Sequence, residues 1–199
     1  MVPSSPLVAR NDRPVALPSM LADVDFRSLL TERLLLRRSV AGDAEMISAY
    51  RSDPAVHAMQ GWDRTDPDGV RAEIEEMASR KPGEPGGWVQ FTVESRDGGI
   101  VGDVGLSPAD GEPGVIKVGY TIDPRFQSRG YATEAVKALI DYAFTTLDAD
   151  IVRAYAGAEN SPSIRVMEKV GMRLIERFQG SDGDEVWFGV RYEVTPRSR

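Results

Sequence analysis

Alternating apolar and polar residues predict a series of short β-strands. The stretch 88–94 alternates apolar and polar residues from Val89 onwards, and 115–122 is rich in β-branched and aromatic residues. Short links join these two strands to one predicted at 100–106, so we expect an antiparallel meander. The remaining strands are predicted at 31–38 and 151–156, with a final hairpin at 172–177 and 185–192.

A period of 3.6 residues marks the strongest predicted helix. The pattern changes at Pro124, after which one helical face collects the apolar residues Ala132, Ala135, Val136, Leu139, Ile140, Ala143 and Phe144. Further helices are predicted at 43–51, 68–80 and 161–170, the last with Ser161 as its cap. This order of elements indicates an α+β or mixed α/β fold, in which helices flank one sheet.

The chain length of 199 residues suits one domain with additional tails. Scattered prolines and few periodic apolar positions predict a disordered leader at 1–20. We expect the folded domain at 30–193 and a short tail at 194–199.

Composition excludes several classes of protein. The formal net charge of −7 provides no basic field for nucleic acid or for an anionic membrane, so neither is an expected partner. The chain has no cysteine and one histidine, His57, which argues against a zinc site, and we expect no metal. No signal peptide or membrane span is recognisable, and this favours a cytoplasmic protein.

The segment 127–132 lies between a predicted strand and the strongest predicted helix. The first N–H groups of a helix have no intrahelical partner, and the helix dipole favours an anion beside them. Small residues at Gly130 and Ala132 allow an anion to approach the backbone closely. The segment therefore predicts a phosphate site, although a glycine that simply eases the turn would give the same pattern.

Two motifs carry a resemblance to a known family. The stretch 123–135, Asp-Pro-Arg-Phe-Gln-Ser-Arg-Gly-Tyr-Ala-Thr-Glu-Ala, resembles the acetyl-CoA signature of the GNAT superfamily of N-acetyltransferases. Further along, 158–172 resembles that family's second signature, with Asn160 and Ser163 at its Asn-x-x-Ser/Ala positions. The opening 31–37 resembles the RimJ/RimL-type branch, which acetylates ribosomal-protein N-termini and assorted small molecules.

The resemblance implies a twisted, mostly antiparallel sheet whose fourth and fifth strands splay apart, and acetyl-CoA as the acetyl donor. It implies that the pantetheine arm pairs with the backbone of Tyr120, Thr121 and Ile122, and that an N–H near Ile122 polarises the thioester carbonyl. Asn160 is implied to bind the cofactor from the other side, although it could instead cap the following helix. The residues implied around the pyrophosphate are Gln127, Ser128, Arg129, Gly130, Tyr131, Ala132 and Thr133.

The acid and the base of the implied reaction are less directly indicated. Many relatives carry tyrosine where this chain has Met167, so the resemblance implies Ser163 as the acid and as a further cofactor contact. A small residue in the first turn of a helix is the structural alternative for Ser163. Relatives also often carry glutamate where this chain has Lys117. The sequence does not rank the possible substitutes, which are Asp103, Glu94, Glu159 and a chain of waters.

The loop predicted at 57–67 corresponds to one wall of the acceptor pocket in this family. We therefore expect Trp62 and Asp63 to contact the acceptor, whereas Trp88 and Tyr155, which lie in strands, are expected to pack in the core. The implied function is acetyl transfer from acetyl-CoA to a primary amine by direct attack. The expected acceptor is a peptide or protein N-terminus or a low-pKa small-molecule amine.

Two further questions stay open on the sequence alone. The alternative to catalysis is an acyl-CoA-binding sensor or non-catalytic module on the same fold. The sequence is also compatible with a homodimer.

Overall fold

The structure is a computed structural model that describes residues 26–60, 62, 64–182 and 185–196. Its strands are β1 (Ser28–Leu30), β2 (Leu34–Arg38), β3 (Val89–Ser95), β4 (Ile100–Pro108), β5 (Val115–Ile122), β6 (Ile151–Gly157), β7 (Arg173–Asp182) and β8 (Glu185–Val194). Its α-helices are α1 (Ala44–Arg51), α2 (Pro54–His57), α3 (Pro67–Met77), α4 (Tyr131–Thr145) and α5 (Ser161–Lys169).

The eight strands form one mixed sheet in the order β1-β2-β3-β4-β5-β6-β8-β7. Neighbouring strands are antiparallel except β5 and β6, which run parallel and pair only over Val115–Lys117 and Ile151–Arg153. Beyond these residues β5 and β6 no longer pair with each other, so the sheet splays open between them. The predicted fold class is therefore confirmed. Strand β1 was not predicted because three residues are too few to show a pattern, and it makes the splayed pair the fifth and sixth strands.

Helix α4 covers one face of the sheet with the apolar side that its sequence predicts. Ala135, Val136 and Leu139 are fully buried in the main core. Helices α1 and α3 cover the other face through a smaller cluster that includes Ile47 and Val70. The sheet thus separates two layers of helices, and the splay opens through it.

The start of the folded region is marked by an aromatic contact. The ring of Phe26 lies 4.8 Å from that of Phe91 and 5.4 Å from that of Tyr142, so residues before the predicted start at 30 pack on the core. The leader predicted at 1–20 and residues 197–199 of the predicted tail lie outside the described residues. Among the described helices, none is long and apolar enough to cross a membrane.

Candidate active site

The unpaired edge of β5 presents backbone groups to the splay. Asp123 donates its N–H to Val101 of β4 at 3.0 Å, and the Val115 carbonyl accepts from Ala109 at 2.9 Å. Odd-numbered residues therefore direct their backbone groups to β4, and by strand alternation Tyr120 and Ile122 direct theirs into the splay. Their N–H groups form a pair of donors, one of them at Ile122, where the family resemblance implies a donor.

Two glutamine side chains occupy the carbonyls on the same edge. Gln60 Nε2 reaches the Tyr120 carbonyl at 3.4 Å and Thr121 Oγ1 at 3.1 Å. Gln127 Nε2 donates to the Ile122 carbonyl at 2.9 Å. The predicted cofactor contact Thr121 therefore has its backbone turned to β4 and its hydroxyl turned to the α1 side of the sheet.

The predicted phosphate site lies at the N-terminus of α4. Gly130 is the N-cap with φ +83°, and Ser128 also adopts a positive φ of 61°. A Cβ at Gly130 would lie 3.4 Å from Nη2 of Arg33, which shows how closely the guanidinium approaches the turn. Because the N–H groups of Tyr131, Ala132 and Thr133 have no intrahelical partner, the turn suits an anion.

Arg33 is a residue of this site that the sequence analysis missed. Its Nη1 donates to the Arg129 carbonyl at 3.0 Å, and its guanidinium lies 4.9 Å from the centre of the Tyr131 ring. It also forms a salt bridge of 2.6 Å with Glu134, which would otherwise repel an anion. No local signal connects residues that are 101 positions apart in the chain.

A pair of hydroxyl groups bridges β5 and α5 on the α4 side of the splay. Tyr120 Oη lies 2.7 Å from Ser163 Oγ and also donates to the Ser163 carbonyl at 2.9 Å. Burial raises the pKa of Tyr120 to about 12, so the phenol stays protonated. Met167 is fully buried in the core. The structure therefore brings together Ser163 and the Tyr120 phenol, whose side chain the sequence analysis did not consider.

Asn160 is the N-cap of α5, a position that the sequence analysis assigned to Ser161. Its Oδ1 accepts from the Ser163 N–H at 3.1 Å, and Ser161 is the first residue of the helix. The cap thus fixes the turn that carries Ser163. It leaves the side-chain NH₂ of Asn160 to contact a cofactor.

A cavity of about 480 Å³ opens on the α1 side of the sheet, directly beside the splay. Its floor includes Gly105 and Gly119, which face each other across β4 and β5. The Trp88 ring lies over this pair, because a Cβ at Gly105 would be 3.2 Å and one at Gly119 3.5 Å from ring atoms. The cavity continues to Tyr120 and Thr121, so it reaches the edge of the splay.

Aromatic residues form part of the cavity wall. Trp62 lines the cavity and lies over the buried Arg51, whose guanidinium is 4.7 Å from the indole centre. Asp63, the other predicted acceptor contact, lies outside the described residues. The expected core positions of two aromatic residues were wrong, since Trp88 is 38% exposed in the cavity wall and Tyr155 is 46% exposed.

Asp103 is the predicted candidate base that the structure brings to this cavity. It is 3% exposed, and its carboxylate accepts from the Tyr50 hydroxyl and from Gln90 Nε2. Burial raises the pKa of Asp103, although the charge of Arg51 and the two hydrogen bonds act against that rise.

The other candidates do not line the cavity. Glu94 is bound to Arg37 at 2.6 Å, Glu159 is exposed in the turn after β6, and Lys117 lies 3.7 Å from Asp110. Across the described ranges of the chain, no cluster of three or more histidine, aspartate or glutamate side chains could hold a metal ion.

A splayed sheet with N–H groups directed into the splay, a helix N-terminus suited to an anion and an adjoining cavity together define an acetyltransferase. The chain belongs to the GNAT acetyltransferase family, because the family model described as "Acetyltransferase (GNAT) domain" matches residues 33–173. This confirms the resemblance seen in the sequence.

Individual relatives agree with this assignment. The uncharacterized N-acetyltransferase p20 of Bacillus licheniformis is 31% identical over 149 residues, which are 74% of this chain and 83% of that protein. The crystal structure of a GNAT-family acetyltransferase from Bacillus anthracis superposes with a TM-score of 0.74 at 28% identity, covering 84% of this chain and 98% of that one. RimJ of Mycobacterium smegmatis, in complex with CoA-disulfide, has the same fold, with a TM-score of 0.71 at 21% identity over 82% of each chain.

Proposed function

We propose that this N-acetyltransferase transfers the acetyl group of acetyl-CoA to an amine with a low pKa, such as a peptide N-terminus. The observation that carries the proposal is the continuity of the cavity with the splay at Tyr120 and Thr121. An amine in the cavity would lie on one side of the β5 edge, and a thioester in the splay on the other. Both reactants would then meet at the same two residues.

The residues around the splay fit acetyl-CoA. The first-turn N–H groups of α4, together with Arg33 and Arg129, would hold the pyrophosphate. The backbone of Tyr120 and Ile122 would pair with the pantetheine arm as an added strand does. The neutralised carboxylate of Glu134 removes the nearest repulsive charge from the turn.

When bound, acetyl-CoA supplies a thioester carbonyl that an amine can attack, so that a C–N bond forms and the C–S bond breaks. The N–H of Ile122 would donate to the carbonyl oxygen, where negative charge develops. Ser163 would give its proton to the departing sulfur, while the Tyr120 phenol, 2.7 Å away, keeps its own proton and donates a hydrogen bond to the serine oxygen. The serine oxygen would then take a proton back from solvent. The attacking nitrogen loses its proton on the cavity side.

The preference for an acceptor of low pKa follows from the fraction of each amine that is unprotonated at neutral pH. A lysine amine has a pKa of ~10.4 and an α-amine ~7.7–8.0, a difference of about 2.5 units or about 3.5 kcal/mol. The position where relatives often carry glutamate holds Lys117, so it supplies no carboxylate. An α-amine depends less on a base, and Asp103 is a carboxylate in the cavity lining that could attract its cation.

Competing acceptors test this proposal. Peptides with a free N-terminus and no lysine are compared with N-blocked peptides that contain lysine, by measuring thiol release from acetyl-CoA between pH 6 and 9. We expect the free N-terminus to react faster at pH 7. Faster acetylation of the blocked lysine peptide would refute the acceptor class. If the protein binds acetyl-CoA but releases no thiol from it with any amine present, the non-catalytic module would be favoured.

A further inference from the structure

A buried carboxylate remains in the cavity after the splay, the anion site and the hydroxyl pair have been assigned. Asp103 points from β4 to the α1 side of the sheet, and its register partner on β5 is Thr121. Thr121 lies between Tyr120 and Ile122, whose N–H groups face the splay. Adjacent strands are about 5 Å apart, so Asp103 is separated from β5, whose far edge borders the splay, by one strand spacing.

The partners of Asp103 distinguish it from the other acids of the cavity. Glu73 forms a salt bridge of 2.7 Å with Arg51, and Glu76 one of 3.1 Å with Arg64. Within the described part of the chain, Asp103 forms no salt bridge, and the neutral side chains of Tyr50 and Gln90 hold it instead. Each carboxylate oxygen accepts one of these bonds, which leaves lone pairs for a further proton.

The glycine pair beside Asp103 lets the Trp88 ring lie close to the strands. Gly105 follows Asp103 by two residues on the same face of β4, and Gly119 is its partner on β5. Any side chain at these positions would compete with the Trp88 ring for the space above the strands. The carboxylate and the indole therefore both line the cavity at this place.

We propose that Asp103 is the catalytic base that takes the proton from the acceptor nitrogen during acetyl transfer. This inference rests on the proposed function. The proton passes from the ammonium or the tetrahedral adduct to a carboxylate oxygen of Asp103, directly or through one water, and then to solvent through the open cavity. Burial favours this role because it raises the pKa of Asp103 towards that of an α-amine.

The charged and titratable groups around Asp103 determine its pH dependence. Helix α1 contributes Tyr50 and Arg51, and helix α3 contributes Glu73. Burial raises the pKa of Tyr50 well above its usual value, so the phenol donates to Asp103 throughout the working pH range. Arg51 opposes the rise in the pKa of Asp103, and Glu73 supports it.

The test compares acceptors that do and do not carry a proton at pH 7. Asp103→Asn should lower kcat/KM for a peptide α-amine by on the order of 10²- to 10³-fold, without changing acetyl-CoA affinity. With an aminooxy compound, which is unprotonated at that pH, the loss should shrink to less than about tenfold because little base catalysis is needed. Glu94→Gln, on the neighbouring strand and outside the cavity, should stay within about threefold of wild type.

A second variant covers the case in which Asp103→Asn does not fold. Tyr50→Phe removes a hydrogen bond that favours the charged carboxylate, so the acidic limb of the kcat/KM profile should move to higher pH. Equal losses of Asp103→Asn with both nucleophiles, or an unmoved limb in Tyr50→Phe, would overturn the role of Asp103. A wild-type protein that acetylates neither nucleophile would overturn the proposed function itself.

Discussion

The hydroxyl pair of Tyr120 and Ser163 gives a quantitative prediction for the departure of the thiolate. Ser163→Ala removes the proposed proton donor, and general acid catalysis contributes about 10²- to 10⁴-fold in rate. We expect the lower end, on the order of 10²-fold in kcat, because Ser163 is partly exposed and water can replace it. Acetyl-CoA affinity should change little, since the α4 turn and the β5 backbone are untouched.

The Tyr120 hydroxyl can donate its hydrogen bond to either of two oxygens of Ser163. Its proton can go to the Ser163 carbonyl at 2.9 Å or to Ser163 Oγ at 2.7 Å. In the second arrangement the serine proton is free to reach sulfur, and the phenol stabilises the oxygen that loses it. A hydrogen bond of this charged type contributes about 1.5–3 kcal/mol, so Tyr120→Phe should lower kcat roughly 10- to 150-fold.

A double-mutant cycle measures whether the two groups act as one unit. If the phenol acts through Ser163, the double variant should lose about 10²-fold rather than the product of the two single losses, which corresponds to a coupling of about 1–3 kcal/mol. Thiol release is measured with acetyl-CoA and with acetyl thioesters of more acidic thiols. The losses should shrink as the thiol becomes more acidic, because its anion leaves without a proton.

The control for a general effect of removing a buried phenol is Tyr192→Phe. Tyr192 is 5% exposed, and its hydroxyl donates to Glu168 at 3.3 Å on the helix that carries Ser163. This variant should leave kcat within about threefold of wild type. Fully additive losses in the cycle, or losses independent of the leaving thiol, would refute the proton transfer and leave Ser163 as a helix-turn residue.

Two further predictions concern the anion site and the support of α1. Gly130→Glu should abolish acetyl-CoA binding in calorimetry, because a carboxylate would enter the turn at φ +83°, whereas Gly111→Glu, at φ +71° in open space, should bind normally. Burial alone would raise the pKa of Asp43, but its carboxylate accepts hydrogen bonds from Arg37, the Val40 N–H and the Thr92 hydroxyl. These bonds outweigh burial and lower the pKa of Asp43 below its ordinary value. Asp43→Asn should therefore lower the free energy of unfolding by about 3 kcal/mol at pH 7, and denaturant titrations should show this difference disappearing as the pH falls below about 4, through the lowered pKa.

Local sequence signals predicted the elements that hold the cofactor side of the site. The apolar period after Pro124 gave α4, and the small residues before it gave the turn at Gly130, because both depend on neighbours within one or two helical turns. The capping geometry of α5 was missed by one residue, since asparagine and serine are both good caps and only the fold decides between them.

The cavity side could not be predicted in the same way. The contact between Tyr50 and Asp103 joins residues 53 positions apart, and that between Arg33 and Glu134 joins residues 101 apart. Such pairs depend on how α1 crosses the sheet and on where β2 leads the chain past α4. Trp88 was expected in the core because aromatic residues in strands usually pack there, but its ring lies on the glycines of β4 and β5 in the cavity wall.

Lys117 shows why a motif position is a poor guide to the base. The reaction requires a proton acceptor near the β5 edge, and any strand that reaches this place can supply it. Antiparallel pairing sets Asp103 of β4 beside Thr121, four residues further along β5 than Lys117. An arginine partner would hold a carboxylate well below the pKa of an amine, and each further unit costs about 1.4 kcal/mol in proton transfer. The burial of Asp103, with neutral donors in place of a salt bridge, narrows the difference between its pKa and that of the amine. Asp103 therefore suits an α-amine better than Glu73, which is paired with Arg51.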